Sequence, residues 1–170
     1  MDHFARLGLP AALDLEPASL DRAYFALQRQ WHPDRFVAKP ASERARASAE
    51  AAALNDAYRT LKDPLSRAVY FAELKGVELP GDGKTIDDPE LLMEAMDARE
   101  ELHDAASTEA IDALAAKARM DMHASLEGLD GLFLAGDKPA IRKALLRLRY
   151  LDKFAEEARA RRMNIERSTA

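Results

Sequence analysis

The sequence predicts an all-α protein, and three observations support that fold class. The 170-residue chain contains 34 Ala, the strongest helix former, but only 7 Gly. No run of four or more alternating β-branched or aromatic residues competes with helical spacing. Apolar residues instead recur every three or four positions through several long segments. We therefore expect an N-terminal helical hairpin followed by a C-terminal antiparallel three-helix bundle.

Start and stop signals divide the first part of the chain into helices around one loop. Asp2 can cap a first helix that ends near Gly8, and Pro17 opens a second one. The second helix stops at His32, because the proline that follows disfavours helical geometry in that residue. A loop of about ten residues leads into a third helix, so the two long helices form a hairpin. This domain is predicted over residues 1–75, with helices at about 2–8, 17–31, 42–61 and 64–74.

A segment without helical periodicity separates this hairpin from the rest of the chain. Residues 76–87 contain three glycines and one proline before the next helix signal, which is typical of a linker. Beyond it, residues 88–170 hold three long helical patterns joined by short turns, as in an antiparallel bundle. The predicted helices cover about residues 89–105, 108–134 and 139 onward.

Charge is distributed unevenly along the chain, although the formal net charge is only −5. Residues 1–75 are close to neutral, residues 76–137 carry a net charge of −12, and residues 138–170 carry a net charge of +6. A nucleic-acid-binding protein would more often present one dominant basic face. We therefore expect no nucleic-acid partner, and we expect the basic last helix to pack against the acidic segment.

Composition excludes several classes of function. The chain has no Cys, so it cannot form a disulfide, a thiol nucleophile or a Cys-ligated zinc or iron–sulfur site. Its four His residues show no paired ligand spacing, and no nucleophile motif accompanies them. No apolar run approaches the roughly 20 residues of a membrane span, and no targeting segment is visible. We expect a cytoplasmic protein that is not an enzyme, has no membrane partner and holds no cofactor or metal.

The loop of the hairpin carries the most informative motif, His32-Pro33-Asp34 followed by Arg35. The tripeptide alone is weak evidence, but it lies between two amphipathic helices, the first of which ends in Trp31. A short helix with Phe4 precedes them. In this context the chain resembles the J-domain of the DnaJ-type co-chaperones over most of residues 1–75. The remaining segments that carry the resemblance are Leu7-Gly8-Leu9, Leu54-Asn55-Asp56-Ala57-Tyr58, Leu61-Lys62-Asp63-Pro64 and Arg67.

That resemblance implies docking on a DnaK-class chaperone ATPase and stimulation of its ATP hydrolysis. Pro33 would stiffen the loop, while His32 and Asp34 would present a donor and an acceptor on a fixed backbone. Arginines on the second helix and in the loop would steer an acidic patch of a partner to this face. In the alternative interpretation, the tripeptide only caps a turn and the arginines only solvate a helix. The expected chaperone-binding residues are His32, Pro33, Asp34, Arg22, Arg29 and Arg35.

The first helix of the bundle has more apolar surface than one packing stripe requires. A stripe that includes Leu91 and Leu102 is sufficient for packing into a bundle. Leu92, Met93 and Met96 form a second apolar group beside it, with charged residues around them. Because methionine adapts its shape to a partner, this group is consistent with a protein-binding surface. A wide core stripe that contacts two helices at once would produce the same pattern.

The second half of the chain extends the resemblance. The segment 91–102 is similar to the corresponding helix of the HscB family, the J-domain co-chaperones of iron–sulfur cluster assembly. Residues 148–153 and 1–4 also look like that family, so the resemblance spans nearly the whole chain. It implies that the bundle binds an iron–sulfur cluster scaffold protein of the IscU type and delivers it to a chaperone of the HscA type. The scaffold-binding residues would be Leu92, Met93, Met96, Asp97, Arg99, Glu100 and Tyr150.

Three points stay open at the level of sequence. The bundle of a J-domain protein could recruit a different client, and a helical adaptor without a chaperone could carry His-Pro-Asp by coincidence. Tyr150 could equally be a core residue, because it neighbours Leu146 and Leu151 on the last helix.

Overall fold

The fold of the chain is described by a computed structural model for residues 1–81 and 86–168. Within these ranges the regular structure is entirely helical, which confirms the predicted fold class. The chain forms two compact units, Met1–Leu74 and Lys75–Ala170. A short 3₁₀ helix, Pro33–Phe36, lies in the loop of the hairpin. The α-helices are α1 His3–Leu7, α2 Pro17–Trp31, α3 Ala41–Lys62, α4 Pro64–Leu74, α5 Pro89–Asp104, α6 Thr108–Ala135 and α7 Lys138–Ser168.

The first helix begins and ends at the predicted residues, and the second helix begins at the predicted Pro17 with Glu16 as its cap. The side chain of Asp2 accepts a hydrogen bond from the backbone N–H of Ala5, and Gly8 ends α1 with φ +67°. Both carboxylate oxygens of Glu16 accept from backbone N–H groups at the start of α2. Local sequence therefore sets the bounds of these helices, because each cap satisfies backbone groups that the helix itself leaves unpaired.

Unit 1 is organised around α3, against which α1, α2 and α4 pack. Leu54, Ala57 and Leu61 of α3 are almost completely buried, together with Phe4 of α1 and Leu20 of α2. The side chains of α2 and α3 also meet where the rings of Tyr24 and Tyr58 stack with centroids 4.0 Å apart. This packing confirms the predicted hairpin of two long helices.

Unit 2 is the predicted bundle, with α7 packed against both α5 and α6. One buried cluster joins the three helices through Leu102 of α5, Ile111 of α6 and Leu151 of α7. The buried stripe of α7 continues through Phe154 and Ala158, because these residues follow Leu151 at spacings of three and four. Full burial of a leucine-sized side chain contributes about 1.5–3 kcal/mol, so this core is the main source of stability in the unit.

Ion pairs join the basic last helix to the acidic segment, as the charge pattern predicts. Such exposed pairs contribute at most about 1 kcal/mol each, and they mainly fix which helix faces meet. The cations come from α7, and the anions lie before or within α5 and within α6. The pairs are Arg142 with Asp87, Lys143 with Asp88 and Glu90, Arg147 with Glu94, and Arg162 with Asp112.

The described part of the predicted linker lies along α7. Val77 is buried, and Arg142 Nε donates to the carbonyl oxygen of Glu78 at 3.2 Å. Arg149 Nη1 donates to the carbonyl oxygen of Pro80 at 2.6 Å. Residues 82–85 of the same predicted linker lie outside the described residues. This part of the linker has no helical hydrogen bonds, and arginine side chains of unit 2 donate to its carbonyl groups instead.

Candidate protein-binding surfaces

The His-Pro-Asp loop is exposed and turns sharply after α2. His32 ends α2 and begins the 3₁₀ helix, and Pro33 occupies the first position of that helix, where its fixed φ suits the turn. The backbone N–H of Asp34 donates to Nδ1 of His32 at 3.3 Å. The same Nδ1 lies 3.6 Å from a carboxylate oxygen of Asp34. The loop therefore presents an imidazole and a carboxylate side by side, and the side chain of Asp34 is 85% exposed.

Arg35 ties the loop back to the helix that precedes it. Its Nη1 donates to the carbonyl oxygen of Arg29 at 3.2 Å. This carbonyl belongs to the last turn of α2, where carbonyl groups lack partners within the helix. Arg35 is otherwise exposed, so it both supports the loop and adds positive charge to its surface.

The predicted arginines of α2 share one exposed side of the helix. Arg22 and Arg29 are seven residues apart, which brings them to nearly the same angle around the helix axis. Arg22 hydrogen-bonds to Ser19 and lies 3.6 Å from the carboxylate of Glu16, so part of its charge is neutralised locally. The three predicted arginines and the loop therefore form a basic surface, which we call the α2 face: Arg22, Arg29, Arg35 and the His32-Pro33-Asp34 loop.

Phe25 is an apolar member of the α2 face that sequence reasoning missed. Its side chain is 50% exposed, between Arg22 and Arg29 along the helix. The signal was present in the sequence, because the apolar stripe of α2, which includes buried Leu20 and half-buried Leu27, leaves Phe25 outside it. An exposed aromatic residue surrounded by cations is a common anchor in protein interfaces.

The second apolar group of α5 is largely exposed. Met93 is 66% exposed and Met96 is 61% exposed, whereas Leu92 is half-buried and Leu91 is in the core. The two methionines are therefore not core residues. We refer to the exposed residues Met93, Met96, Asp97 and Glu100 with half-buried Leu92 as the Met93 face.

Two other predicted scaffold-binding residues are engaged within unit 2. Arg99 on α5 makes two hydrogen bonds to Glu157 of α7 and remains exposed. Tyr150 of α7 is half-buried and packs against the buried cluster, and its hydroxyl lies 3.4 Å from the carboxylate of Glu94. Burial, and then the negative charge of Glu94, raises the pKa of Tyr150. Tyr150 therefore meets α5 one residue from Met93 and is partly a packing residue.

The described residues contain neither a metal site nor a membrane span. Within residues 1–81 and 86–168, His, Asp and Glu side chains form no group of three that could hold a metal ion. None of the described helices is long and apolar enough to cross a membrane. Both surfaces offer hydrogen-bonding groups, charge and exposed apolar area.

Comparison with known proteins matches both halves of the chain. Residues 2–70 match the family model of the DnaJ domain, and residues 87–159 match the model described as the HSCB C-terminal oligomerisation domain. A relative from Burkholderia multivorans, a co-chaperone protein HscB homolog, is 40% identical over 167 residues. The match covers 96% of this chain and 95% of the relative.

Two solved structures are similar along the chain. Chaperone HscB from Vibrio cholerae has a TM-score of 0.82 at 32% identity, with 100% of each chain covered. Human co-chaperone protein HscB has a TM-score of 0.88 at 26% identity, with 96% of this chain and 83% of that chain covered. Sequence and fold agree, and the chain belongs to the HscB family of co-chaperones, with a DnaJ domain in its first half.

Proposed function

We propose that this co-chaperone stimulates ATP hydrolysis by a DnaK-class chaperone of the HscA type and delivers an IscU-type iron–sulfur cluster scaffold protein to it. One observation carries the proposal: the exposed His-Pro-Asp loop on a basic helix face and the exposed Met93 face belong to separate units of one chain. Each unit would therefore contribute a surface for one partner. We infer that it acts in the cytoplasm and has no catalytic activity of its own.

The α2 face supports the chaperone-binding half of the proposal. His32 presents its imidazole and Asp34 presents a carboxylate acceptor on the same short turn. The arginines around them attract an acidic surface and accelerate encounter with it. Phe25 adds an apolar contact that needs no charge.

The Met93 face supports the scaffold-binding half. Its two exposed methionines are flexible and apolar, which suits contact with a folded partner. Asp97 and Glu100 are exposed beside them, so the partner surface should carry basic side chains around an apolar centre. Arg99 and Tyr150 would contribute the edge of this contact next to α7.

Delivery follows from the linkage of the two surfaces. Binding of the scaffold protein to unit 2 raises its effective concentration near a chaperone that is bound to unit 1. Docking favours the hydrolysis-competent state of the chaperone only if the loop binds that state more tightly than the chaperone's other state. The co-chaperone would thus couple scaffold capture to ATP hydrolysis.

The test is the steady-state ATPase rate of the chaperone with wild-type protein and with His32→Gln. Glutamine cannot reproduce the fixed ring whose Nδ1 accepts the Asp34 N–H, so stimulation should be lost. His123→Gln on α6 is the matched control and should stimulate like wild type, since His123 lies in the other unit. Equal stimulation by the wild type and His32→Gln, or none by either, contradicts the proposal.

A different client remains the alternative for unit 2. Addition of the scaffold protein should raise the ATPase rate further with the wild type, because both partners are then held together. A chain that stimulates the chaperone but neither binds the scaffold protein nor responds to it would be a J-domain co-chaperone for another client.

A further inference from the structure

We propose that Arg46, which lies over the ring of Trp31 in the stacked pair Trp31–Phe36, is the positioning residue that holds the His-Pro-Asp loop in its docking geometry. The inference rests on the proposed stimulation of a DnaK-class chaperone and concerns how the loop is kept ready for it. Trp31 and Phe36 flank the loop on either side along the chain, and Arg46 belongs to α3.

The loop itself has few means of staying in place. Every residue from His32 to Arg35 is exposed, so no buried side chain of the motif anchors it. Its hydrogen bonds are local or reach back to α2, such as Arg35 N–H to the carbonyl oxygen of His32 at 3.0 Å. Local bonds fix the shape of the turn, but they do not attach the turn to α3.

The aromatic residues on the two sides of the loop contact each other. The rings of Trp31 and Phe36 stack with centroids 6.0 Å apart and an interplanar angle of 5°. Both rings are half-buried, in contrast to the residues between them. The stack therefore closes the ends of the loop onto each other.

Arg46 fixes this closed loop to the helix that follows. Its guanidinium carbon lies over the Trp31 ring, 5.5 Å from the centroid, which is within the range of a cation–π interaction. The side chain thereby joins the end of α2 to the beginning of α3. Since the chaperone would contact His32 and Asp34, loss of Arg46 should act by reducing the fraction of loops in the docking conformation.

Such a reduction has a defined kinetic signature. If only the docking-competent fraction binds, the apparent affinity falls in proportion to that fraction, whereas the maximal effect is unchanged. For Arg46→Gln, we expect the concentration for half-maximal ATPase stimulation to rise about two- to five-fold, as for loss of an exposed cation–π contact. The maximal stimulated rate should remain that of the wild type.

The experiment compares three single variants in the full-length chain. Arg46→Lys keeps a cation that can lie over the ring and should restore most of the affinity. Arg44→Gln is the charge control, because Arg44 is exposed on the same helix but lies two residues away, on a different side. It should behave like the wild type. Urea unfolding establishes that each variant is folded at the assay temperature.

Trp31 provides a second readout, because it is the only tryptophan of the chain. Tryptophan emission of the co-chaperone alone, and the long-wavelength indole bands of its near-ultraviolet circular dichroism, therefore report on this one ring. Arg46→Gln should change both signals, and Arg46→Lys and Arg44→Gln should leave them close to wild type. If all three variants are folded, a general loss of stability would not change the Trp31 signals in Arg46→Gln alone.

The possible results separate the inference from the function on which it rests. The inference alone is overturned if the wild type stimulates the chaperone and Arg46→Gln does so with the same half-maximal concentration. An equal loss with Arg44→Gln also overturns it, since the effect would then be one of net charge. Absence of stimulation by the wild type overturns the proposed function and the inference together.

Discussion

The guanidinium of Arg99 is held by both carboxylate oxygens of Glu157. Nε donates to Oε2 at 3.1 Å, and Nη2 donates to Oε1 at 2.8 Å. These hydrogen bonds raise the pKa of Arg99 above its usual range and link α5 to α7 in a bidentate geometry. Among the described residues, Glu157 engages two of the five N–H groups of Arg99, so the direction of the guanidinium is set while the side chain stays exposed. Glu157 therefore orients Arg99 at the edge of the Met93 face.

The first prediction concerns this orientation. Arg99→Gln should weaken binding of the scaffold protein more than Glu157→Gln does, because the latter removes only the preorganisation of Arg99 and keeps its donors. We expect a two- to five-fold loss, about 0.4–1 kcal/mol, for Glu157→Gln. Both variants should lower the free energy of unfolding by less than about 1 kcal/mol, since the pair is exposed. Isothermal titration calorimetry and urea unfolding measure these quantities. Identical binding losses in the two variants would mean that Arg99 acts only through Glu157.

The second prediction tests the Met93 face. Met93→Ala with Met96→Ala should weaken scaffold binding at least about ten-fold, as expected for apolar residues at the centre of an interface. Stability should change by less than about 1 kcal/mol, because both side chains are mostly exposed. Stimulation of the chaperone without the scaffold protein should stay intact. Met120→Ala is the matched control: Met120 is 73% exposed on α6, and its removal should not affect binding. Equal losses in both variants would contradict the assigned surface.

The third prediction concerns Phe25 of the α2 face. Phe25→Ala should raise the half-maximal concentration for ATPase stimulation about ten-fold, a loss of about 1.4 kcal/mol, since it removes the aromatic anchor of the face. Phe25→Tyr should retain most of the affinity, because the ring remains. Urea unfolding should show little change for either variant, as the side chain is half exposed. Wild-type stimulation by Phe25→Ala would show that the apolar part of the face is not used.

Most helix bounds could be predicted because their signals are local. Asp2, Gly8 and Pro17 act on backbone groups within a few residues, so the sequence alone places the helix ends. Which residues lie in the core and which lie on the surface was harder to predict from the sequence. Periodicity could not separate the two interpretations of Met93, because the width of a buried stripe depends on how many helices pack against it.

Contacts between distant parts of the chain could not be predicted for a related reason. The pair of Arg99 and Glu157 spans 58 residues, and the stack on Trp31 depends on how a 3₁₀ helix orients Phe36. Net charge along the chain predicted that α7 would meet acidic residues, but it did not say which residues pair. Side-chain pairing follows from the relative rotation of helices, which packing determines.

The fourth prediction concerns alkaline pH and begins with Tyr150. Burial, and then the carboxylate of Glu94, raises the pKa of Tyr150 above its ordinary value of about 10. As pH rises past about 10, the unfolded chain loses this proton while the folded chain keeps it. The unfolded state then binds fewer protons, so the free energy of unfolding falls with pH. The contribution is fully present below pH of about 10 and is lost as pH rises through the folded-state pKa.

Tyr150→Phe should therefore flatten the alkaline part of the stability profile, because phenylalanine has no proton to lose. Urea unfolding at pH values of about 8.5, 10 and 11 gives the free energy of unfolding of the wild type and of this variant, and hence the slope of each with pH. The other titrating groups are common to both proteins, so their contributions cancel in the difference between the two slopes. Glu94→Gln should flatten the profile less, since burial, the larger cause, remains. Tyr150→Phe should bind the scaffold protein nearly as well as the wild type below pH of about 9, because the ring is retained. Parallel profiles for the wild type and Tyr150→Phe would show that the phenol titrates alike in both states.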